Sequence, residues 1–176
     1  MSQRTIILGE PPAAVQHLIE DRRALGLDGY DEVWEGQYHM APMARADHGD
    51  VQAQVLHLLI DLARSRHLYA TGPFNLGLDK NDFRVPDGGV FESRPREVYV
   101  PKALVVLEVQ SPDDETFDKF PFYCRQGVQE VIVADPATRT VTIYKPLLEV
   151  AQPWKVLSKS LLGVTARGIT DEIDWP

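Results

Sequence analysis

Cysteine is nearly absent from this chain, which carries Cys124 as its single thiol in 176 residues. An internal disulfide is therefore excluded, and so is a zinc site built from several cysteines. The chain also lacks an apolar run approaching the ~20 residues that cross a bilayer, and its N-terminus has no signal-peptide core. These absences predict a cytoplasmic protein that is neither secreted nor inserted into a membrane.

The chain also has fewer basic than acidic residues, with 18 lysines and arginines against 26 aspartates and glutamates, and its net charge is −8. Nucleic-acid-binding proteins usually present a basic surface, so the overall charge speaks against such a partner. A local basic groove on an acidic body is still compatible with one. The length and the apolar fraction of 44% are ordinary for one globular domain, which we expect to span residues 1–176.

Apolar periodicity divides the chain into helices and strands that do not alternate strictly. Helices are predicted for residues 11–25, 47–66 and 118–126, with Asp47 and Asp118 as N-caps. The second helix has one apolar stripe, formed by Val51, Val55, Leu58, Leu59 and Leu62. Strands are predicted for two segments within 30–40 and for 68–71, 75–78, 85–91, 103–109, 130–134, 140–145 and 154–157. This pattern is typical of an α/β (α+β) fold with a mixed central sheet flanked by helices.

Two carboxylates interrupt segments that otherwise look like buried strands. Asp87 follows Pro86 at one strand edge, and Glu108 lies inside the apolar run 103–109. A buried carboxylate is costly unless a cation or hydrogen-bond donors compensate it. If the two strands pair, both acids can converge on one Mg²⁺ ion, with the Val109 carbonyl as a further oxygen ligand. By spacing alone, Asp87 can equally be a turn residue and Glu108 a strand-end acid paired with an arginine.

A lysine near such a site would hold the attacking water or stabilise the transition state. Lys119 is the candidate, because it starts the helix that follows the buried strand. It lies four residues before Tyr123 and therefore on the same helix face.

Several short motifs, taken in order, resemble the Uma2 family of restriction-endonuclease-like proteins. The motifs are Glu35-Gly36, Met40-Ala41-Pro42, His48, Pro86-Asp87, Glu108-Val109-Gln110-Ser111-Pro112, Lys119 with Tyr123, Gly127-Val128-Gln129-Glu130 and Val133-Ala134-Asp135-Pro136. The resemblance implies a PD-(D/E)xK nuclease-like domain with a core at about 30–148, an N-terminal helix and a C-terminal strand extension. It further implies Asp87 and Glu108 as ligands of Mg²⁺ or Mn²⁺, and metal-dependent hydrolysis of DNA.

The chain departs from the general nuclease pattern at the position two residues after the second acid. That position is occupied by Gln110 in place of lysine, and the resemblance assigns the lysine role to Lys119 on the following helix. Glutamine can orient a water molecule but supplies no positive charge. Pro121 interrupts the turn between Lys119 and Tyr123, so activity depends on whether Lys119 reaches the metal.

Four further residues have both a functional and a plainer interpretation. Glu35 is either an additional acid of the site or a turn residue before Gly36. His48 either approaches the scissile phosphate or orients Glu35, or it is a plain polar residue at a helix start. Tyr123 either binds a phosphate or packs on the sheet with its hydroxyl at the rim, and Arg84 either binds a phosphate or neutralises a neighbouring acid.

Three functions follow from these observations. The first is a DNA endonuclease in which Asp87 and Glu108 hold the metal, Glu108 and Lys119 help to activate water, and Gln110 orients it. The second is a catalytically impaired module of the same fold that acts as an interaction or regulatory homodimer. The third, a sugar hydrolase, needs two carboxylates ~5–9.5 Å apart without a metal and ranks last.

Overall fold

The helices and strands follow one another irregularly in a computed structural model, which describes residues 5–7, 11–112, 115–149 and 152–176. The helices are α1 (Ala13–Ala24), α2 (Ala46–Arg64), α3 (Phe120–Arg125) and α4 (Ala166–Thr170). The strands are β1 (Thr5–Ile7), β2 (Glu32–Trp34), β3 (Gln37–Met40), β4 (Tyr69–Thr71), β5 (Asn75–Asp79), β6 (Asp82–Arg84), β7 (Gly88–Phe91), β8 (Tyr99–Val100), β9 (Val105–Val109), β10 (Glu130–Asp135), β11 (Thr140–Pro146) and β12 (Trp154–Val156). Among these described helices, none combines the length and the apolar character needed to cross a membrane.

Two mixed six-stranded sheets are built from these strands. The first sheet has the order β1-β3-β2-β6-β5-β8, and the second has the order β12-β11-β10-β9-β7-β4. The helices flank the sheets, so the predicted mixed fold is confirmed, although the strands divide between two sheets where one central sheet was expected.

Strand β9 occupies an interior position of the second sheet. It runs parallel to β10 and antiparallel to β7, and all five of its residues are buried. An unbroken apolar run is what a strand covered on both faces requires. Val105, Leu107 and Val109 pack on the α2 side of the sheet, whereas Val106 packs on the α3 side. Because side chains alternate along a strand, Glu108 shares the face of Val106.

The segment preceding Asp87 differs from the prediction of one strand over 85–91. Strand β6 ends at Arg84 in the first sheet, and β7 begins at Gly88 in the second. Pro86 has no N–H group to donate to a ladder, which favours a break at this position. Residues 85–87 therefore form a link between the two sheets, and this link carries Asp87 to the end of β9.

Helix α2 lies across the second sheet. Val51, Val55, Leu59 and Ala63 form its fully buried stripe, while the predicted stripe residues Leu58 and Leu62 are partly buried. The helix begins at Ala46 with Arg45 at the N-cap, so the prediction of Asp47 as the N-cap is wrong. The burial of this stripe fixes the start of the helix beside the carboxyl end of β9.

A short 3₁₀ turn, Phe117–Lys119, leads into α3. The prediction of Asp118 as an N-cap is wrong, because Asp118 lies inside this turn. Pro121 occupies the first turn of α3, where its missing N–H costs no helical hydrogen bond. Gly127 ends the helix at φ 73°, and its N–H donates to the Cys124 carbonyl at 3.0 Å.

The C-terminal segment packs on the α2 side of the second sheet. Strand β12 confirms the predicted strand near residues 154–157, while α4 was not predicted. Leu162, Ile169 and Ile173 are buried in the same core as the stripe of α2. The apolar residues of this segment therefore cover the sheet.

Candidate metal-dependent active site

A cleft of about 90 Å³ opens where the 85–87 link, the end of β9, the start of α2 and the 3₁₀ turn meet. Asp87, Glu108, Lys119 and His48 all line it, together with Val109. The structure thus brings the two predicted acids and the predicted lysine into one site, and His48 joins them.

Asp87 is held by the backbone on both sides. Its N–H donates to the Leu107 carbonyl at 3.0 Å, and its Oδ2 accepts the Val109 N–H at 2.7 Å. Gln52 on α2 donates to the Asp87 carbonyl oxygen at 2.8 Å. The carboxylate is therefore buried but compensated, and its position is set by pairing between the link and β9.

His48 lies against the other oxygen of the same carboxylate. Its Nε2 is 3.1 Å from Oδ1 of Asp87, and its Nδ1 is 3.1 Å from Oγ of Ser111. The ring is oriented from both nitrogens, and it comes from the first turn of α2. His48 is consequently placed to orient Asp87, whereas Glu35 lies elsewhere, in the turn between β2 and β3.

Glu108 is an acid of the site with a strongly raised pKa. Its side chain points toward α3, where Lys119 Nζ lies 3.2 Å from Oε1 and the Tyr123 hydroxyl donates to the same oxygen. Burial, with a smaller contribution from the negative charges of Asp87 and Glu32, raises the pKa of Glu108 to about 7 against the opposing effect of Lys119. A further cation at this carboxylate would favour its charged form.

Glu32 is a site residue that the sequence did not suggest. It is fully buried on β2, and its Oε1 lies 2.9 Å from Lys119 Nζ. The backbone N–H of Val85 donates to Oε1 at 2.9 Å, and Trp34 Nε1 donates to Oε2 at 2.7 Å. The available signal in the sequence was the spacing of Glu32 and Trp34, which are two residues apart on a short strand. This spacing does not indicate that Glu32 meets a residue as distant in sequence as Lys119.

Glu35 does not lie at the site, and its prediction as an additional acid is not supported by its position. It occupies the turn between β2 and β3 at φ 50°, and its side chain is 77% exposed. Its carboxylate lies 3.5 Å from Arg125. The turn interpretation before Gly36 describes its position, and Glu32 is the acid that this strand directs inward.

Arg84 is also placed away from the cleft, so its position does not support the suggestion that it binds a phosphate. Its guanidinium lies between the rings of Trp34 and Phe122, at 4.4 Å and 4.1 Å from their centroids. Its Nη1 donates to the Val33 carbonyl and to Asp82, each at 2.9 Å. Arg84 therefore neutralises a neighbouring acid and joins the first sheet to α3.

Tyr123 and Gln110 are not among the residues that line the cleft. Tyr123 is fully buried, so its hydroxyl supports Glu108 and is not available at the rim for a phosphate. Gln110 is half-buried and borders a neighbouring depression of about 460 Å³, together with Asp135 and Arg45. Its backbone N–H donates to the Ala134 carbonyl at 2.8 Å.

The donor set of the cleft fits one hard divalent ion that retains water ligands. Within the described residues, no group of three or more histidine, cysteine or acidic side chains forms a complete cage for a metal ion. Mg²⁺ is commonly held by one or two carboxylates and keeps several waters, so Asp87 and Glu108 suffice in number. The Asp87 charge raises the pKa of Glu108, and a cation shared by the two acids would relieve this repulsion.

Comparison with known proteins identifies the family. No curated protein matches the chain. A solved structure of "a putative nuclease belonging to DUF820 from Anabaena variabilis" matches with a TM-score of 0.62 and 20% identity, over 81% of this chain and 90% of that chain. At this identity the match shows a shared fold. The model of the family described as "Uma2: Putative restriction endonuclease" matches residues 30–165, and the chain therefore belongs to the Uma2 family.

Proposed function

We propose that this chain is a metal-dependent endonuclease that hydrolyses phosphodiester bonds of DNA, with Mg²⁺ or Mn²⁺ held by Asp87 and Glu108. One observation carries the proposal, namely that two buried carboxylates, one from the 85–87 link and one from β9, line one cleft together with a buried lysine. The family description agrees with a nuclease, and so does the fold shared with the Anabaena variabilis protein. The Val109 carbonyl is the further oxygen ligand in this proposal.

The side chains around the cleft have distinct roles in the proposed reaction. A bound divalent ion makes a coordinated water easier to deprotonate and stabilises charge on a phosphoryl oxygen. The Val109 N–H and His48 each contact one oxygen of the Asp87 carboxylate and so fix its orientation. The remaining lone pairs of Asp87 therefore have a fixed direction for binding the ion. Glu108 accepts the proton of the attacking water, and Lys119 offsets the negative charge that approaches with the phosphate.

Lys119 supplies the positive charge that the resemblance assigns to a lysine near the metal, since Gln110 cannot supply one. Pro121 does not displace it, because the proline lies in the first turn of α3 and Lys119 Nζ reaches Glu108. Gln110 borders the adjoining depression, where it can orient a water or a substrate group.

Cleavage of DNA by variants tests the proposal. Asp87→Ala and Glu108→Ala should each reduce Mg²⁺- or Mn²⁺-dependent nicking of plasmid DNA at least ~100-fold, as expected for loss of a group that acts on the reacting water. Glu130→Gln is the matched control, because Glu130 is a buried acid that bonds Ser160 and Leu161 outside the cleft. Full activity of both alanine variants would reject the proposal.

A second candidate is a catalytically impaired module of the same fold that acts as an interaction or regulatory homodimer. It is favoured by Gln110 at the usual lysine position and by the net charge of −8. Calorimetric binding of Mn²⁺ without cleavage of double-stranded, single-stranded or supercoiled DNA would support this candidate over the endonuclease. Cleavage that depends on Asp87 would exclude it.

A further inference from the structure

Lys119 is shared by two buried carboxylates that come from different sheets. Its Nζ lies 2.9 Å from Glu32 Oε1 and farther from both oxygens of Glu108, at 3.2 Å from Oε1 and 3.4 Å from Oε2. Its side chain is 3% exposed. An ammonium group has three donors in a compact arrangement, so it can serve both acids at once. The more strongly Lys119 bonds to Glu32, the more lone pairs of Glu108 remain available to another cation.

Glu32 cannot turn away from this contact without losing other bonds. Trp34 and Val85 each donate to its carboxylate, one to each oxygen. The Trp34 ring is itself packed between the Arg84 guanidinium and the His39 ring, at 4.4 Å and 4.3 Å. Glu32 therefore presents Oε1 to Lys119 from a fixed position, whereas Glu108 receives its donors from side chains of the α3 segment.

We propose that Glu32 is a positioning residue that draws the Lys119 ammonium toward itself and keeps it from a closer approach to the Glu108 oxygens used for the metal. This inference rests on the proposed function, because it assigns Glu108 to a divalent ion. Loss of Glu32 removes the acid that Lys119 contacts at 2.9 Å, so that Lys119 shifts toward Glu108 and competes more strongly with the ion for its oxygens. Glu32 thus acts on metal affinity through Lys119, without touching the ion itself.

The affinity for Mn²⁺, measured by calorimetry on the intact chain, tests this inference apart from cleavage. Glu32→Gln should weaken Mn²⁺ binding about 10–100-fold, the range typical of residues that orient metal ligands. Glu130→Gln, which also removes one buried glutamate, should bind Mn²⁺ as the native protein does. Native affinity in Glu32→Gln would overturn the inference.

A second pair of variants separates positioning from a plain loss of negative charge. If Glu32 acts through Lys119, then Glu32→Gln introduced into Lys119→Met should leave the Mn²⁺ affinity of Lys119→Met unchanged. If its charge acts directly through space, the same loss appears with and without the lysine, and the inference is overturned.

Two outcomes keep this test distinct from that of the proposed function. A native protein that binds no Mn²⁺ contradicts the metal site itself, whereas native binding that Glu32→Gln leaves intact contradicts only the role of Glu32.

Circular dichroism establishes that each variant is folded. If Glu32→Gln fails to fold, Glu32→Asp is measured in its place, since it keeps the charge but moves it away from Lys119, and undiminished Mn²⁺ affinity in that variant would overturn the inference.

Discussion

The buried Glu108 should make the metal-free protein lose stability as pH rises, and Glu108→Gln should remove that loss. Burial raises the pKa of Glu108 from its ordinary 4.5 to about 7 in the folded chain. Between these two values the unfolded chain releases the proton while the folded chain retains it. The free energy of unfolding therefore falls across this window and levels off above pH 7.

The size of the effect follows from the two pKa values. The difference between 4.5 and about 7, at roughly 1.4 kcal/mol per pH unit, corresponds to about 3 kcal/mol. Glutamine has nearly the same shape, carries no charge and can still accept the Tyr123 hydroxyl. At pH 8 the variant should therefore be more stable than the native protein by up to about 3 kcal/mol, and at pH 4.5 the two should be similar.

Urea unfolding of both proteins in a chelating buffer, at pH 4.5 and at pH 8, measures this difference. Titrating groups distant from Glu108 contribute equally to both proteins, so the change in the difference between native and variant reports Glu108 together with the charges it meets, Lys119, Asp87 and Glu32. A difference that stays constant with pH, or one in which the native protein gains stability toward pH 8, would refute the assignment of Glu108 as a carboxyl group with a raised pKa.

Two further predictions concern residues that lie outside the cleft. Arg84→Ala should lower the free energy of unfolding by about 3 kcal/mol in chemical denaturation, because it empties the space between Trp34 and Phe122 and removes the ion pair with Asp82. A loss below about 0.5 kcal/mol, the range of ordinary surface changes, would contradict this packing role. Glu35→Gln should cleave plasmid DNA at the native rate, since the Glu35 carboxylate is exposed in a turn. A large loss of rate would show that Glu35 takes part in cleavage.

The parts of the fold that the sequence predicted are those in which local pattern and burial agree. The run Val105–Val109 was predicted as a buried strand, and all five residues are buried. The stripe of α2 was found because three of its fully buried positions, Val51, Val55 and Leu59, fall one or two turns apart. The meeting of Asp87 and Glu108 followed from pairing of their two segments, and β7 does pair with β9.

The parts that could not be predicted depend on contacts between distant segments. Pro86 favours a break in the strand near residues 85–87, but only the pairing of β6 and β7 with different sheets makes these residues a link between sheets. Glu32 and Arg84 illustrate the same difficulty. Nothing local shows that Glu32 meets Lys119, or that Arg84 turns toward Trp34 and away from Asp87.

The central claim is that Asp87 and Glu108 hold one divalent ion between them. Anomalous diffraction from a crystal of the protein soaked in Mn²⁺ tests it most directly, because it locates the ion without reference to activity. We expect one peak within about 2.0–2.3 Å of a carboxylate oxygen from each acid, with water completing the coordination. A protein that takes up Mn²⁺ elsewhere, or at one of the two acids alone, would contradict the account.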